Sequence, residues 1–430
     1  MINIHKFHII TLGCRVNQYE SSAISEGLLQ RGLIEAETPE DCDLYIINTC
    51  AVTGESSRKS RQMIRRAASY NKDAVIIVIG CYSDVSPDEV DALGCADLII
   101  GTANKTAVCD QAVELLNSKK SERIHKTIIY PKDDYDQYTV KASEKARAYL
   151  KIEDGCNGKC AYCIISKARG PVRSKLPDLA YEEAFTLASN GVKEIILTGI
   201  EISGYQYDLI SLITRISEIP GVERIRLGSL DPSMLTEETI KKLSKIKKLM
   251  PHFHLSIQSG CSRVLALMRR KYNAEIALKA IKSLKAHFKN LMLTADLIVG
   301  FPGETEEDFL ETIEFLKKAE FLHVHIFPYS IRPNTEAAGM KGQLPKSVKD
   351  ERLQKALALQ NEIAASLLGF VIKEQNPISV LFESECDGIL TGHSENFIEV
   401  KAKGNTALIS EIASVMPVSL CNGVIEGKII

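Results

Sequence analysis

The chain has 430 residues, of which 45% are hydrophobic and 25% charged, an ordinary makeup for a soluble globular protein of roughly two to four domains with real cores. Its net charge of -2 excludes a global pull toward nucleic acid, so any RNA contact has to be local. Twelve cysteines in a chain of this size speak against a disulfide framework, the first residues lack the features of a signal peptide, and no apolar run reaches the length of a membrane span. These features predict a cytoplasmic protein with reduced thiols and no membrane partner.

Three β-rich runs come first, and each ends on a cysteine: residues 7–14 at Cys14, 43–50 at Cys50 and 74–81 at Cys81. Helical stretches at 21–31 and 56–70 separate them, so residues 1–120 read as a small α/β domain with a parallel sheet. Ligand sites in such sheets lie beyond the carboxyl ends of the strands, which would bring the three cysteines together at one edge. Apolar strands often carry buried cysteines, and one such strand end means little. Three of them, two as Gly-Cys, point to a three-cysteine cluster site. Residues 121–141 are polar, lack an apolar period and read as a linker.

A second unit, 142–369, opens near Ala142 and carries six β-like runs at 148–153, 194–198, 224–228, 252–257, 292–299 and 323–329. Helical patterns at 181–189, 209–218, 274–287 and 304–318 separate them, which predicts a curved, incomplete (β/α)6 barrel. Chemistry in such barrels sits in the loops at the carboxyl ends of the strands. The first strand leads directly into Cys156-Asn-Gly-Lys-Cys160-Ala-Tyr-Cys163. A structural zinc is closed by four ligands, whereas three cysteines on a cubic iron-sulfur cluster leave one iron open for substrate. Polar groups follow other strands. In Thr198-Gly199-Ile200-Glu201 the glycine admits close approach and the carboxylate can accept from an ammonium group. Ser256 and Gln258 can bond a ribose hydroxyl, and Gly300, Gly303 and Glu304 follow the fifth run. Turn chemistry or helix capping is the plain reading of each. Tyr329 and Arg332 follow the last strand, where they can contact a substrate.

Local positive charge, which phosphate binding requires, occurs at Arg58, Lys59, Arg61, Arg65 and Arg66 and again at Arg269, Arg270 and Lys271, beside the two cysteine sets. The lysines of 241–248 read as a solvated helix face. Cys42, Cys95, Cys109, Cys261, Cys386 and Cys421 read as ordinary thiols. After a helical segment at 346–368, residues 370–430 carry strand-like pieces at 378–383, 388–392, 397–401 and 417–425, which predicts a small β-barrel.

Several segments together resemble the methylthiotransferases of the radical S-adenosylmethionine (SAM) class: Thr11-Leu-Gly-Cys14-Arg-Val-Asn-Gln-Tyr-Glu20, Asn48-Thr-Cys50, Gly80-Cys81, Gly155-Cys156-Asn157 with its two partner cysteines, Gln258-Ser-Gly260 and Gly300-Phe-Pro-Gly-Glu304. Residues 391–400 look like part of a TRAM domain, an RNA-binding β-barrel. The resemblance implies two 4Fe-4S clusters. One, on Cys156, Cys160 and Cys163, would bind and reductively cleave SAM, giving a 5′-deoxyadenosyl radical that takes hydrogen from adenine C2. The other, on Cys14, Cys50 and Cys81, would present sulfur, and a second SAM would supply the methyl group. The resemblance further implies Gly199, Glu201, Ser256, Gln258 and Gly300 as SAM contacts. Its partners would be a tRNA substrate, a reducing electron donor and a sulfur source; no oligomeric state is specified.

Gly-Cys14-Arg-Val-Asn-Gln-Tyr-Glu and Arg270-Lys-Tyr272 look most like the branch acting on N6-threonylcarbamoyladenosine beside the tRNA anticodon. Sister branches act on isopentenyladenosine in tRNA or on an aspartate of a ribosomal protein. A non-catalytic iron-sulfur redox sensor that binds RNA is the alternative from another class, but a sensor needs no polar cofactor-type groups at successive strand ends. An unactivated aromatic C–H bond offers no proton that a side-chain base can remove, so cofactors carry such chemistry and the protein positions them.

Overall fold

The computed structural model describes residues 5–40, 42–118, 125–141 and 146–430. Its first six strands are β1 (Lys6–Thr11), β2 (Ile34–Glu35), β3 (Leu44–Thr49), β4 (Val75–Gly80), β5 (Leu98–Ile100) and β6 (Lys126–Ile128), which pair in parallel in the order β2-β1-β3-β4-β5-β6. Every residue of β3 and β4 is buried, because helices cover both faces of the sheet. Helix Gly54–Tyr70 packs Ile64 and Ala67 on Tyr45 and Ile47, while helices Arg15–Gln30 and Thr106–Asn117 pack Ile24, Leu28 and Val108 on Leu44 and Ile46.

The stretch expected to be a linker differs in its described part. Strand β6 completes the sheet edge, Tyr135 and Val140 are buried, and the Tyr135 hydroxyl donates to the Lys151 carbonyl at 2.6 Å. Its anchors are isolated aromatic and β-branched side chains, too widely spaced to give a periodic signal. Residues 121–124 of that stretch, and the expected opening of the next unit near Ala142, lie outside the described residues.

The central part has β7 (Arg147–Lys151), a short antiparallel pair β8 (Glu153–Asp154) and β9 (Arg173–Ser174), then β10 (Glu194–Thr198), β11 (Arg224–Leu227), β12 (Ser229–Leu230), β13 (His252–Gln258), β14 (Met292–Val299) and β15 (His323–Pro328). Two parallel sheets result, β11-β10-β7 and β12-β13-β14-β15. They meet at Gly228, whose N–H donates to the Leu197 carbonyl at 2.8 Å, so the chain passes from one sheet to the other and the strands form one open arc. Amphipathic helices Pro177–Ser189, Leu209–Ser217, Ala274–His287 and Glu306–Ala319 cover its outside. The last begins two residues later than the apolar pattern predicts, because Thr305 and Asp308 form a capping box at its start.

Helix Lys346–Glu374 then leads to a closed barrel of β16 (Ile378–Cys386), β17 (Ile389–Ser394), β18 (Glu399–Lys403), β19 (Ile412–Cys421) and β20 (Val424–Ile429). The run expected as one strand over 417–425 is a hairpin turning at Asn422 and Gly423, both with positive φ, as an Asn-Gly turn requires. One further expectation is corrected: by length and composition this 29-residue helix is long and apolar enough to cross a membrane. In the fold it bridges the arc and the C-terminal barrel, with Arg352 paired to Glu304 at 2.7 Å and Gln360 donating to the Phe321 carbonyl at 2.9 Å.

The C-terminal barrel closes the amino-terminal end of the arc. Arg224 and Arg226 donate from β11 to the carbonyls of Ser379 and Ser394, and Arg147 of β7 pairs with Glu383. His393, within the TRAM-like segment, is bonded to Glu383 and Arg147 in this interface and stacks on Phe397 at 4.6 Å.

Candidate active site

Cys14, Cys50 and Cys81 stand beyond the carboxyl ends of β1, β3 and β4, three neighbouring strands, so the sheet order itself brings them together. The two Gly-Cys pairs have a steric cause. Gly13 and Gly80 have φ of +96° and +102°, and a Cβ would lie 2.8 Å from the Cβ of Cys50 in the first case and 2.5 Å from the Thr49 carbonyl in the second. Cys156, Cys160 and Cys163 lie in the loop after β8, at the carboxyl end of the arc. All six line one cavity of about 1380 Å3, together with Gly199, Glu201, Ser256, Gln258, Tyr329 and Arg332.

The thiols sit in surroundings that suit iron-sulfur clusters. Burial raises the thiols of Cys50 and Cys156, pushes Cys163 up to about 11 and Cys81 up to about 12, so thiolates there are costly unless cations accompany them. Donors already point at the sulfurs: Gly158 N–H at 3.2 Å from Cys156 Sγ, Ile165 N–H at 3.4 Å from Cys163 Sγ, Arg270 Nη1 at 3.3 Å from Cys160 Sγ and Arg169 Nε at 3.4 Å from Cys81 Sγ. Among the described residues no three Cys, His, Asp or Glu side chains close on one point as a single ion needs. A multi-iron cluster holds its cysteine sulfurs further apart and fits the spread.

Arg169 ties the two sets together. It is fully buried and donates to Glu20 and, at 2.7 Å, to Asn17 Oδ1 from the N-terminal part, and to Asp154 at 3.3 Å, two residues before Cys156. Lys151 completes the network, 2.9 Å from Glu20 and 2.7 Å from Asp154. Burial alone would raise Glu20, but Arg169 and Lys151 hold its carboxyl down at about 2. Replacing Arg169 by methionine is expected to cost about 3–5 kcal/mol, since it leaves buried carboxylates without their partner. Urea unfolding followed by circular dichroism measures this, and a loss below about 1 kcal/mol, the scale of a surface pair, would contradict it.

The expected cofactor contacts divide. Gly199 is required by a carboxyl: a Cβ there would lie 2.5 Å from Glu153 Oε2, which accepts from the Glu201 N–H at 2.9 Å. Burial pushes Glu153 up to about 9 and Glu201 up to about 7, the latter opposed by a 2.8 Å hydrogen bond from Ser203. Ser256 is 2.6 Å from Ser229 Oγ, and Gln258 holds a left-handed φ of 62° at a bulge in β13, a turn that places it in the cavity lining. Gly300 is not brought to the cavity. It packs beneath Lys349 and donates to Glu304 Oε2 at 2.6 Å, and Glu304 pairs with Arg352, so this turn anchors the long helix.

The basic stretch at 269–271 also differs from expectation. Arg270 turns inward to Cys160 and Asp231 and Arg269 pairs with Glu336, which commits both cations to the protein. On helix Gly54–Tyr70, Arg58 pairs with Glu55, and Arg61 with Tyr82 and Glu89. The other cysteines are free thiols away from the cavity. Glu153, Asp154, Arg169, His254 and Asp296 carried no recognisable signal, whereas Arg15, Asn17 and Glu20 stand within the segment that follows Cys14 and were legible only as part of that motif.

An open parallel arc with two three-thiol sets facing one cavity defines an iron-sulfur enzyme of the radical SAM kind. Residues 150–316 match the Radical SAM superfamily, and residues 6–101 match a family described as Uncharacterized protein family UPF0004. The Threonylcarbamoyladenosine tRNA methylthiotransferase MtaB of Bacillus subtilis is 38% identical, over 95% of this chain and 92% of its own. The tRNA-2-methylthio-N(6)-dimethylallyladenosine synthase of Caldicellulosiruptor saccharolyticus is 33% identical, over 93% and 85%. Among solved structures, the radical S-adenosylmethionine methyltransferase TsrM of Kitasatospora setae superimposes with a TM-score of 0.57 at 12% identity, covering 78% of this chain and 77% of its own, a likeness of fold. The chain belongs to the radical SAM tRNA methylthiotransferases, enzymes that use SAM and carry two 4Fe-4S clusters.

Proposed function

We propose that this enzyme converts N6-threonylcarbamoyladenosine beside the tRNA anticodon to its 2-methylthio derivative. The observation that carries the reading is the convergence of both three-cysteine sets on one cavity of about 1380 Å3, a volume ample for a nucleoside. Cys156, Cys160 and Cys163 would hold the cluster that engages SAM, and Cys14, Cys50 and Cys81 would hold the second. Glu201, Ser256 and Gln258 would orient SAM, with the Glu201 carboxylate available to its ammonium group. Arg270 and Arg169 donate to cluster thiolates, one on each set, and so stabilise their negative charge. When bound, SAM and the clusters supply the hydrogen-abstracting radical, the sulfur and the methyl group.

Reductive cleavage of SAM would be started by an electron and the product takes up a sulfur atom, so the enzyme would draw on an external reductant and a sulfur source. A cytoplasmic setting follows from a tRNA substrate. The threonylcarbamoyl assignment is supported by relatives at 38%, 36% and 35% identity that are named threonylcarbamoyladenosine tRNA methylthiotransferases. The test is mass spectrometry of tRNA nucleosides from cells with and without the gene. The expected result is loss of the 2-methylthio group from threonylcarbamoyladenosine alone. Loss from isopentenyladenosine would reassign the substrate within tRNA, and an unchanged profile would point to a protein substrate.

A further inference from the structure

Arg15 is a half-buried arginine that follows Cys14, begins helix Arg15–Gln30 and lines the cavity. Its guanidinium makes no hydrogen bond and no ion pair among the described residues. The other arginines of the cavity are engaged: Arg270 with Asp231 at 3.0 Å and with Cys160, and Arg332 with Ser57 Oγ at 3.2 Å. The histidines of the same wall are committed to neighbours, His254 to Thr294 at 2.9 Å and Asp296 at 3.2 Å, and His323 to His325 at 3.2 Å. The charge of Arg15 is close enough to feel Tyr149 of β7 and Asp296 of β14, and the cations of Arg147 and Arg226 as well. An unpartnered guanidinium withdrawn from water is costly unless an anion meets it.

We propose that Arg15 is the specificity-determining residue that binds the carboxylate at the end of the N6 substituent. The inference rests on the threonylcarbamoyl reading above. For sulfur to reach adenine C2, that edge of the base must face Cys14, Cys50 and Cys81. C2 and C6 flank N1 in the same ring, so the N6 substituent leaves the base close to the wall that carries Cys14, where Arg15 stands. A carbamoyl-threonine ends in a carboxylate and a hydroxyl; Arg15 meets the first, and Asp296, which lines the same cavity, offers an acceptor to the second. An apolar isopentenyl group or a bare amine would leave the half-buried cation unpaired, so the same residue that favours the right substrate penalises the wrong ones.

The experiment uses the full-length holoenzyme, reconstituted anaerobically, as wild type, Arg15→Ala, Arg15→Gln and Arg15→Lys. Each is given tRNA with threonylcarbamoyladenosine and the same tRNA with unmodified adenosine at that position, and both equilibrium binding and steady-state kinetics are read. Removing one charged hydrogen bond is expected to weaken binding of the modified tRNA about 10- to 100-fold and raise KM more than it lowers kcat. Binding of the unmodified tRNA changes little, and Arg15→Lys keeps part of the preference. Iron content and visible absorbance identify a variant that has lost its clusters; if alanine does so, the isosteric glutamine is read in its place. The proposal is overturned if the uncharged variants keep the wild-type preference. Equal weakening on both tRNAs would also overturn it, since that pattern belongs to a phosphate contact. A wild-type enzyme that does not prefer the modified tRNA would sink the substrate reading itself, and the inference with it.

Discussion

Replacing Cys156 by alanine is expected to reduce 5′-deoxyadenosine formation from SAM to the level of cluster-free protein. Even outer-shell partners of a metal site are worth about 10- to 100-fold, so losing one of three thiolates should exceed about 100-fold. The three cysteines have no substitute nearby: Cys261 is buried away from the cavity and bonded to Asp308 at 3.2 Å. Burial also raises the thiol of Cys163, one of the two cysteines left in the variant, so the remaining pair would hold iron poorly. Anaerobic assay with dithionite as reductant and chromatography of the nucleoside product measures the effect. Normal 5′-deoxyadenosine formation by this variant would remove Cys156 from the SAM site and with it the division of roles between the two cysteine sets.

Cys50 to alanine is expected to separate the two halves of the reaction. SAM cleavage persists, methylthiolated nucleoside falls to background, and iron content drops by about half, since one of two cubic clusters loses a ligand. Cys50 is 5% exposed and lies between Cys14 and Cys81 in the sheet order, close against Gly13. The measurement is a parallel count of 5′-deoxyadenosine and 2-methylthio product from one reaction. Product at the wild-type level would show that sulfur does not pass through this site. Loss of both products would mean that the cysteine sets are coupled, and Arg169, which donates to Cys81 and to Asp154 beside the Cys156 loop, is the connection to examine next.

Sequence reading and structure agree where the signal is local. Strands β10 and β14 and the helix Ala274–His287 coincide with their apolar periods to the residue, because each is set by alternation or by 3.6-residue spacing within its own span. They part where a distant partner decides. The edge strand β6 forms because β5 leaves a free edge, and Arg270 turns inward because Asp231 and Cys160 lie there, neither of which is visible in the basic run that contains it. Gly300 shows the same limit: its motif is legible, but only the packing of Lys349 reveals that the turn serves the long helix and not the cavity.

By itself the sequence determined where the cysteines stand: two sets of three, each set beginning after a strand, predict cluster ligands and the end of the sheet that carries them. Which residues surround those cysteines was decided by tertiary structure alone. Arg169, Asp154 and Glu20 come from three separate stretches of chain, and burial converts their charges from solvated groups into fixed partners of one another. A charge has that meaning only once folding has removed its water, and no local pattern records when that happens.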